Sequence, residues 1–322
     1  MQSMNKYFLL ILAIALAGCG RSEPPAESPM ASEPAPDTAE VTVPTYSAEA
    51  FFQTTSYRMV GGTGHSFSPD GSALLISSDE TGVFNAYRLP IDGSGAAALT
   101  DSDDNAVFAV SWFPNDERIL YTYDGGGNEL NHIVVREEDG TNTDLTPGDS
   151  LKAQFVRWSD DNESFYLTTT ERNETSFDLY RYSATDYSRE MVYENPGFQI
   201  SAISGDGRWL ALDKPRTSAD ADIYVIDLHS DDLEPKLVTP HDGNINHGTF
   251  TILADNNSLI YGTDEHGEWR QAWRYDLESG ERAPFVVSDW DVSYVGNSRS
   301  GELIVYGVNV DARTEVSLRE LE

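Results

Sequence analysis

The sequence predicts an all-β fold, a β-propeller of about six four-stranded blades, on three observations. A strand-turn-strand unit returns at intervals of 45 to 49 residues from Phe67 to the C-terminus, the length of one propeller blade. Every unit places a short apolar run, rich in β-branched and aromatic residues, directly after its turn. Beyond Thr45, no apolar residues recur at helical spacing over a length that would make a substantial helix.

The turns come first. They are Asp70-Gly71, Asn115-Asp116, Asp161-Asn162, Asp206-Gly207, Asp255-Asn256 and Ser300-Gly301, residue types that accept positive φ, and the spacing reads as two-residue hairpins. The second strands follow as Leu74-Leu75-Ile76, Ile119-Leu120-Tyr121, Phe165-Tyr166-Leu167, Leu210-Ala211-Leu212, Leu259-Ile260-Tyr261 and Ile304-Val305-Tyr306. Third strands such as His132 to Arg136 and Asp222 to Asp227 mostly alternate apolar with polar residues, as expected where one face packs on the next blade. Outer strands end at Leu99-Thr100, Leu145-Thr146, Val192-Tyr193, Val238-Thr239 and Val286-Val287, and the sixth unit stops before one. The segment Thr55 to Val60 precedes the first unit without an obvious partner. The expectation is that it completes the sixth blade and closes the ring, since an unpaired edge exposes backbone groups.

The N-terminus speaks of location. Lys6 precedes the apolar stretch Phe8 to Leu16, too short for a comfortable membrane span, and small residues follow it; residues 1–18 therefore read as a secretory signal. Leu16-Ala17-Gly18-Cys19 resembles the lipobox of bacterial lipoproteins, which implies lipidation of Cys19 and anchoring in the cell envelope. Gly20 after the cysteine, rather than Asp, favours the outer membrane, with the protein facing the periplasm or the surface. Cys19 is the only cysteine, so no disulfide framework is available. Residues 19–44, with Pro24, Pro25, Pro29, Pro34, Pro36 and Pro44 among Ala, Ser and Glu, read as a disordered tether, and residues 45–322 as the propeller.

A net charge of −33, one unit more negative once Lys6 leaves with the signal, repels nucleic acid and excludes nonspecific DNA binding. Solubility accounts for it more simply than recruitment of basic peptides. A Gly-x-Ser-x-Gly elbow is missing; the nearest segment, Gly296 to Gly301, has the wrong spacing and belongs to the sixth turn. His241 and His247 flank an inter-blade connection and supply half a metal site at most, while Asp101 to Asn105 lacks the Gly and distal Glu of a calcium loop, so neither a metal nor a cofactor is expected. Acidic and Gly-rich loops recur between second and third strands, which suits strand termination better than catalysis. The fifth such loop adds His266, Trp269 and Arg270; an aromatic beside an Arg can grip a peptide or carboxylate, making these the candidate ligand-binding residues.

Ser66 to Gly71, Asp79 to Gly82, Asn85 to Leu89, Trp112 to Asp116, Gly127 to His132, Ile203 to Trp209 and Asp264 to Trp269 together resemble the N-terminal β-propeller of prolyl oligopeptidase-type serine peptidases, the S9 family, over residues 51–322. The individual motifs also occur in TolB-like propellers. The resemblance implies a substrate-gating propeller that precedes an α/β-hydrolase domain bearing Ser, Asp and His, and further blades that would make six units an incomplete seven- or eight-bladed ring. None of those catalytic residues maps onto a position of this chain, so no activity is expected from it alone. The expected partners are peptides, a hydrolase domain and, through the lipid, a membrane. The alternative is a stand-alone envelope binding or scaffold propeller.

Overall fold

The computed structural model describes residues 43–321. The expected signal sequence, Cys19 and nearly all of the expected tether lie outside the described residues. Val43–Phe52 falls in a unit of its own with one exposed helical turn, α1 (Ala48–Phe52), in which the Tyr46 and Phe51 rings meet edge to face at 6.0 Å.

From Gln53 onward the chain folds into a six-bladed propeller of antiparallel sheets, each an uninterrupted meander. Blade 1 holds β1 (Tyr57–Met59), β2 (Ala73–Ser78), β3 (Asn85–Pro90) and β4 (Ala97–Ala98); blade 2 holds β5 (Val107–Trp112), β6 (Ile119–Tyr123), β7 (His132–Arg136) and β8 (Asn142–Asp144). Blade 3 is β9 (Ala153–Trp158), β10 (Ser164–Thr169), β11 (Asp178–Ser183) and β12 (Arg189–Tyr193), and blade 4 is β13 (Gln199–Ile203), β14 (Trp209–Thr217), β15 (Asp220–Asp227) and β16 (Lys236–Leu237). Blade 5 comprises β17 (His247–Ile252), β18 (Ser258–Thr263), β19 (Gln271–Asp276) and β20 (Arg282–Val286). Blade 6 has only β21 (Asp291–Asn297), β22 (Leu303–Val310) and β23 (Arg313–Glu320).

The expected turns are present, but they are not two-residue hairpins. In blade 1 the Ser68 N–H bonds to the Ala73 carbonyl, leaving four residues in the connection; the pairs Phe113/Arg118, Ser159/Ser164, Ser204/Trp209, Leu253/Ser258 and Ser298/Leu303 repeat the arrangement. A single residue at positive φ then suffices, supplied by Gly71, Asn162, Gly207, Asn256 and Gly301. The second blade manages without one, and there the Arg118 guanidinium grips the Asp116 carboxylate at 2.7 and 2.9 Å. Ser-x-Asp clamps brace three turns: Ser68, Ser159 and Ser204 donate to Asp70, Asp161 and Asp206 at 2.5–2.6 Å. These bonds stabilise the ionised carboxylates and hold Asp70 and Asp161 below the usual acid range.

The segment around β1 does not close the sixth blade. Tyr57, Arg58 and Met59 pair with Ser78, Ser77 and Ile76, so β1 is the innermost strand of blade 1. The reason is an interruption: the strand entering the first turn keeps only the Phe67–Leu74 bridge, and Gly61, Gly62 and Gly64 break it from β1. Gly64 is required by close approach, since a Cβ there would sit 2.1 Å from the Val110 carbonyl oxygen. Arg58 fixes the register by lying 4.7 Å over the Phe84 ring and 5.6 Å from that of Phe108.

Five apolar cores fill the five junctions between consecutive blades. Representative members are Leu75 with Trp112, Phe113 with Trp158, Tyr166 with Leu210, Trp209 with Leu259, and Ile260 with Ile304. Among the described residues no such core spans blade 6 and blade 1. The densest is that of blades 2 and 3, where Trp158 meets Phe113 and Phe165 at 5.0 Å and Phe165 stacks on Tyr182 at 5.5 Å. Such aromatic pairs each contribute about 1 kcal/mol beyond the area they bury.

Candidate functional site

Two groups of polar side chains sit at opposite ends of the innermost strands. The first gathers at the turns between first and second strands. Asn256 of blade 5 donates to the Asp160 carboxylate of blade 3 (2.8 Å) and accepts from the Gly205 N–H of blade 4 (2.7 Å). Gly205 must be glycine: a Cβ would stand 1.8 Å from an Asp160 oxygen. Arg157 reaches the Ile203 carbonyl and Asp160, and Arg299 of blade 6 lies within electrostatic reach of both Arg157 and Asp160. Blades 3 and 6 stand opposite one another in a six-membered ring, so their charges meet only near its axis. His65 of blade 1 joins the group; burial first, then the Arg299 charge, pushes its imidazole down to about 4. Ser111 of blade 2 completes it, its hydroxyl oxygen accepting from the His65 backbone N–H and the Trp158 indole N–H, both at 2.8 Å. Asp160 and Arg299 stay exposed, which makes this a charged mouth open to solvent.

Beside the innermost strands of blades 2 and 3 lies a cavity of about 490 Å³, lined by Thr63, Phe108, Val110, Gln154 and Phe155 among others. That volume falls in the range of small-ligand sites.

The second group occupies the other end of blades 4 and 5, where the long β14–β15 hairpin meets β17. The rings of His241 and His247 approach to 4.9 Å. His241 is held by Asp220 (3.1 Å), the Thr239 carbonyl (2.9 Å) and Asp222 (3.6 Å), while Arg216 bonds to Asp222 and lies 3.5 Å from Asp220. Burial opposes the charge on His241, yet these acceptors together outweigh it and raise its pKa. His247, 1 % exposed, has neither ring nitrogen hydrogen-bonded; burial, then the charges of His241 and Arg282, lower it to about 4. The two neighbouring imidazoles are thus pushed in opposite directions, His241 toward holding its proton and His247 toward losing it. Among the described residues no set of three or more His, Cys, Asp or Glu side chains is placed to hold a metal ion.

The three candidate ligand-binding residues of blade 5 engage three different partners. His266 packs against Trp273 with ring centroids 4.0 Å apart, and Trp269 against Trp290 at 5.1 Å, both pairs tilted by about 35°. Arg270 turns instead onto the β17–β18 pair, 4.9 Å over the Phe250 ring, with a long bond to the Gly248 carbonyl. The facing glycines Gly248 and Gly262 make room for it, since a Cβ on Gly262 would lie 2.1 Å from Nε. Asp213, Asp264 and Asp291 supply the countercharge, and the buried Nε has no hydrogen-bond acceptor.

Sequence reasoning named His241, His247 and Arg270 but missed Asp213, Arg216, Asp220 and Asp222, because nothing foretold that β14 and β15 would run long enough to bring them to His241. It also missed the axial group, whose one signal was Asp160-Asp161-Asn162, a carboxylate standing where three other turns have Pro69, Pro114 and Gly205.

The family model for the prolyl oligopeptidase N-terminal β-propeller domain matches residues 97–262, just over half of the chain. No curated protein matches in sequence. Among solved structures, an oligogalacturonate lyase in complex with manganese superposes with a TM-score of 0.61 at 16 % identity, covering 80 % of this chain and 73 % of the lyase. The oligogalacturonate lyase of Vibrio parahaemolyticus gives 0.61 at 16 % identity, over 83 % and 76 %. A prolyl endopeptidase gives 0.61 at 13 % identity, over 84 % of this chain and 42 % of its own length. At such identities these likenesses concern the fold.

Proposed function

The chain belongs to the family of prolyl oligopeptidase N-terminal β-propellers, and from that premise we propose that it is the non-catalytic, substrate-gating part of an S9-type serine peptidase. The observation that carries the proposal is the axial mouth, where side chains from blades 1, 3, 5 and 6 converge. Contact between blades that are not neighbours leaves little room at the axis. An extended peptide fits such a passage and a folded domain does not. Charges held by hydrogen bonds, with Asp160 and Arg299 open to water, provide changeable partners for a peptide backbone in transit. The reading includes attachment to the bacterial envelope through a lipidated Cys19, and it places catalysis on an α/β-hydrolase domain working with the propeller.

The test is isolation of the propeller from its native membranes under mild detergent, followed by labelling with a fluorophosphonate. A labelled serine hydrolase domain should be recovered with it, on the same polypeptide or bound to it. In that assembly Asn256→Ala, which releases the tie between blades 3 and 5, should raise kcat/KM for long peptides relative to short ones. Recovery of the propeller with no labelled hydrolase, or length selectivity untouched by Asn256→Ala, refutes the gating role.

A further inference from the structure

A second cavity, of about 500 Å³, lies between the outer halves of blades 1 and 2, apart from the axial mouth. Its long wall is one face of blade 2. Strand alternation places Ile119, Tyr121 and Tyr123 of β6 on that face, with Arg136 across from Ile119 and Val107 across from Tyr123. The facing wall is the segment leaving β4, Ala98 to Thr100, and the connection Asp101 to Asn105 borders the Tyr123 end. That connection is firmly held. Buried Asn85 accepts from the Ser102 N–H and the Thr100 hydroxyl, both at 2.8 Å, and donates to the Ser102 carbonyl at 2.9 Å. Asn105 accepts from the Gly126 N–H at 2.7 Å, which ties the connection to the chain just after Tyr123. Asp101 lines the cavity at this end and is exposed.

Arg136 stands at the other end, half-buried beside Gly140, where a Cβ would lie 3.6 Å from a guanidinium nitrogen. Among the described residues its guanidinium makes one hydrogen bond, to the Glu137 carbonyl at 3.3 Å, and the neighbouring Asp139 carboxylate is taken up by Thr141 at 2.7 and 2.9 Å. Between the two charges stand Leu99, Val107 and the rings of Tyr121 and Tyr123, whose centroids are 6.4 Å apart. Tyr121 is 7 % exposed, and burial first, then Tyr123 and Asp144, push its hydroxyl up to about 12. It therefore keeps its proton as a donor. Neither tyrosine hydroxyl bonds to another described residue, although a buried tyrosine normally finds a partner.

We propose that this cleft binds a short peptide of about three residues with both termini free, its carboxylate on Arg136 and its ammonium on Asp101. The length follows from the register. From the Arg136 level at Ile119 to Tyr123 the strand advances four residues, roughly 13 Å, while an extended tripeptide spans about 10 Å and leaves each charged side chain room to reach inward. A guanidinium offers a carboxylate two parallel bonds. The tyrosine hydroxyls donate to peptide carbonyls, and Leu99 with Val107 receives an apolar central side chain. A neutral polyol would leave both charges without a partner, and a ligand of net negative charge would meet Asp101 and a protein that carries −33. The site is separate from the axial mouth, and its occupancy does not depend on the gating role.

The probe is the tripeptide Ala-Leu-Ala, titrated calorimetrically into the whole chain purified in mild detergent. It should bind with a dissociation constant on the order of 0.1 mM, the efficiency usual for a ligand of its size. Amidation of its carboxylate should weaken binding roughly ten-fold on the wild type and no further on Arg136→Gln. Acetylation of its amine should cost about three-fold on the wild type and nothing more on Asp101→Asn, because that pair is exposed. Ala98→Trp, which fills the cleft from an exposed position on β4, should abolish binding while the urea midpoint stays where it was, and Asn256→Ala at the axial mouth should leave binding unchanged. Absence of binding to the wild type overturns the proposal, as does equal affinity for acid and amide, or binding that survives Ala98→Trp. Binding lost in Asn256→Ala and kept in Arg136→Gln also overturns it, because the peptide then sits at the axis, an outcome that leaves the gating role standing.

Discussion

Replacing His247 with Phe tests the electrostatics of the blade 4–5 cluster at a position where no hydrogen bond is lost, because neither ring nitrogen has a partner. The native imidazole has a pKa of about 4 against an ordinary value of 6.5. Above pH 6.5 both folded and unfolded chains hold it neutral, and it contributes nothing to pH dependence. Between 6.5 and 4 the unfolded chain takes up a proton that the folded chain refuses, so stability falls as pH falls. Integrated from pH 7 to pH 5, this one group removes about 2 kcal/mol. For a domain of this size that is a drop of roughly 4 to 8 °C in the thermal midpoint. Whatever the packing difference at pH 8, His247→Phe should therefore gain about 2 kcal/mol on the wild type between pH 8 and pH 5, read from urea unfolding at the two pH values. His65 stays in both proteins and cancels from the difference. Equal losses of stability on acidification in variant and wild type would refute a neutral, buried His247.

Other perturbations have equally defined outcomes. Asp222→Ala removes one of the two carboxylates that face Arg216 and His241 while Asp220 stays against both, and should cost about 1–3 kcal/mol, measured by urea unfolding at pH 7. Gly262→Ala drives a methyl group into Arg270 and Phe250 and should cost about 1–3 kcal/mol, while Gly267→Ala, with nothing within 4 Å, should stay within about 0.5 kcal/mol in the same melts. Cys19→Ser should move the protein from the membrane to the soluble envelope fraction and abolish its fatty acid by mass spectrometry, because stable anchoring rests on the acyl chains.

Much of the fold could be read because blade geometry repeats a local chemistry. Asp, Asn and Gly at the turns and apolar triplets after them are short-range signals, and the second and third strands and five outer strands lie where those signals put them. Strand β1 was misassigned for the complementary reason: its partner Ile76 lies 17 residues away across a glycine-rich break, and nothing local announces the pairing. The candidate site was less legible still. Arg270 was found through composition, yet its direction depends on Gly248 and Gly262, which only the register of β17 with β18 brings opposite each other. Asp160, Asn256 and Arg299 come from three turns and meet because of ring curvature, a property absent from any single repeat.

The arrangement of the apolar cores makes the propeller a linear series of coupled units. Among the described residues, blades 2 to 5 are each held by two cores, and blades 1 and 6 by one apiece. Stability then depends on position along the series, as in a short repeat array. Local opening should begin at the terminal blades, where one interface is lost, and reach blades 3 and 4 last. A destabilising change of given size consequently has unequal effects: in a terminal blade it frays an end that already opens readily, and in a central blade it cuts the series in two.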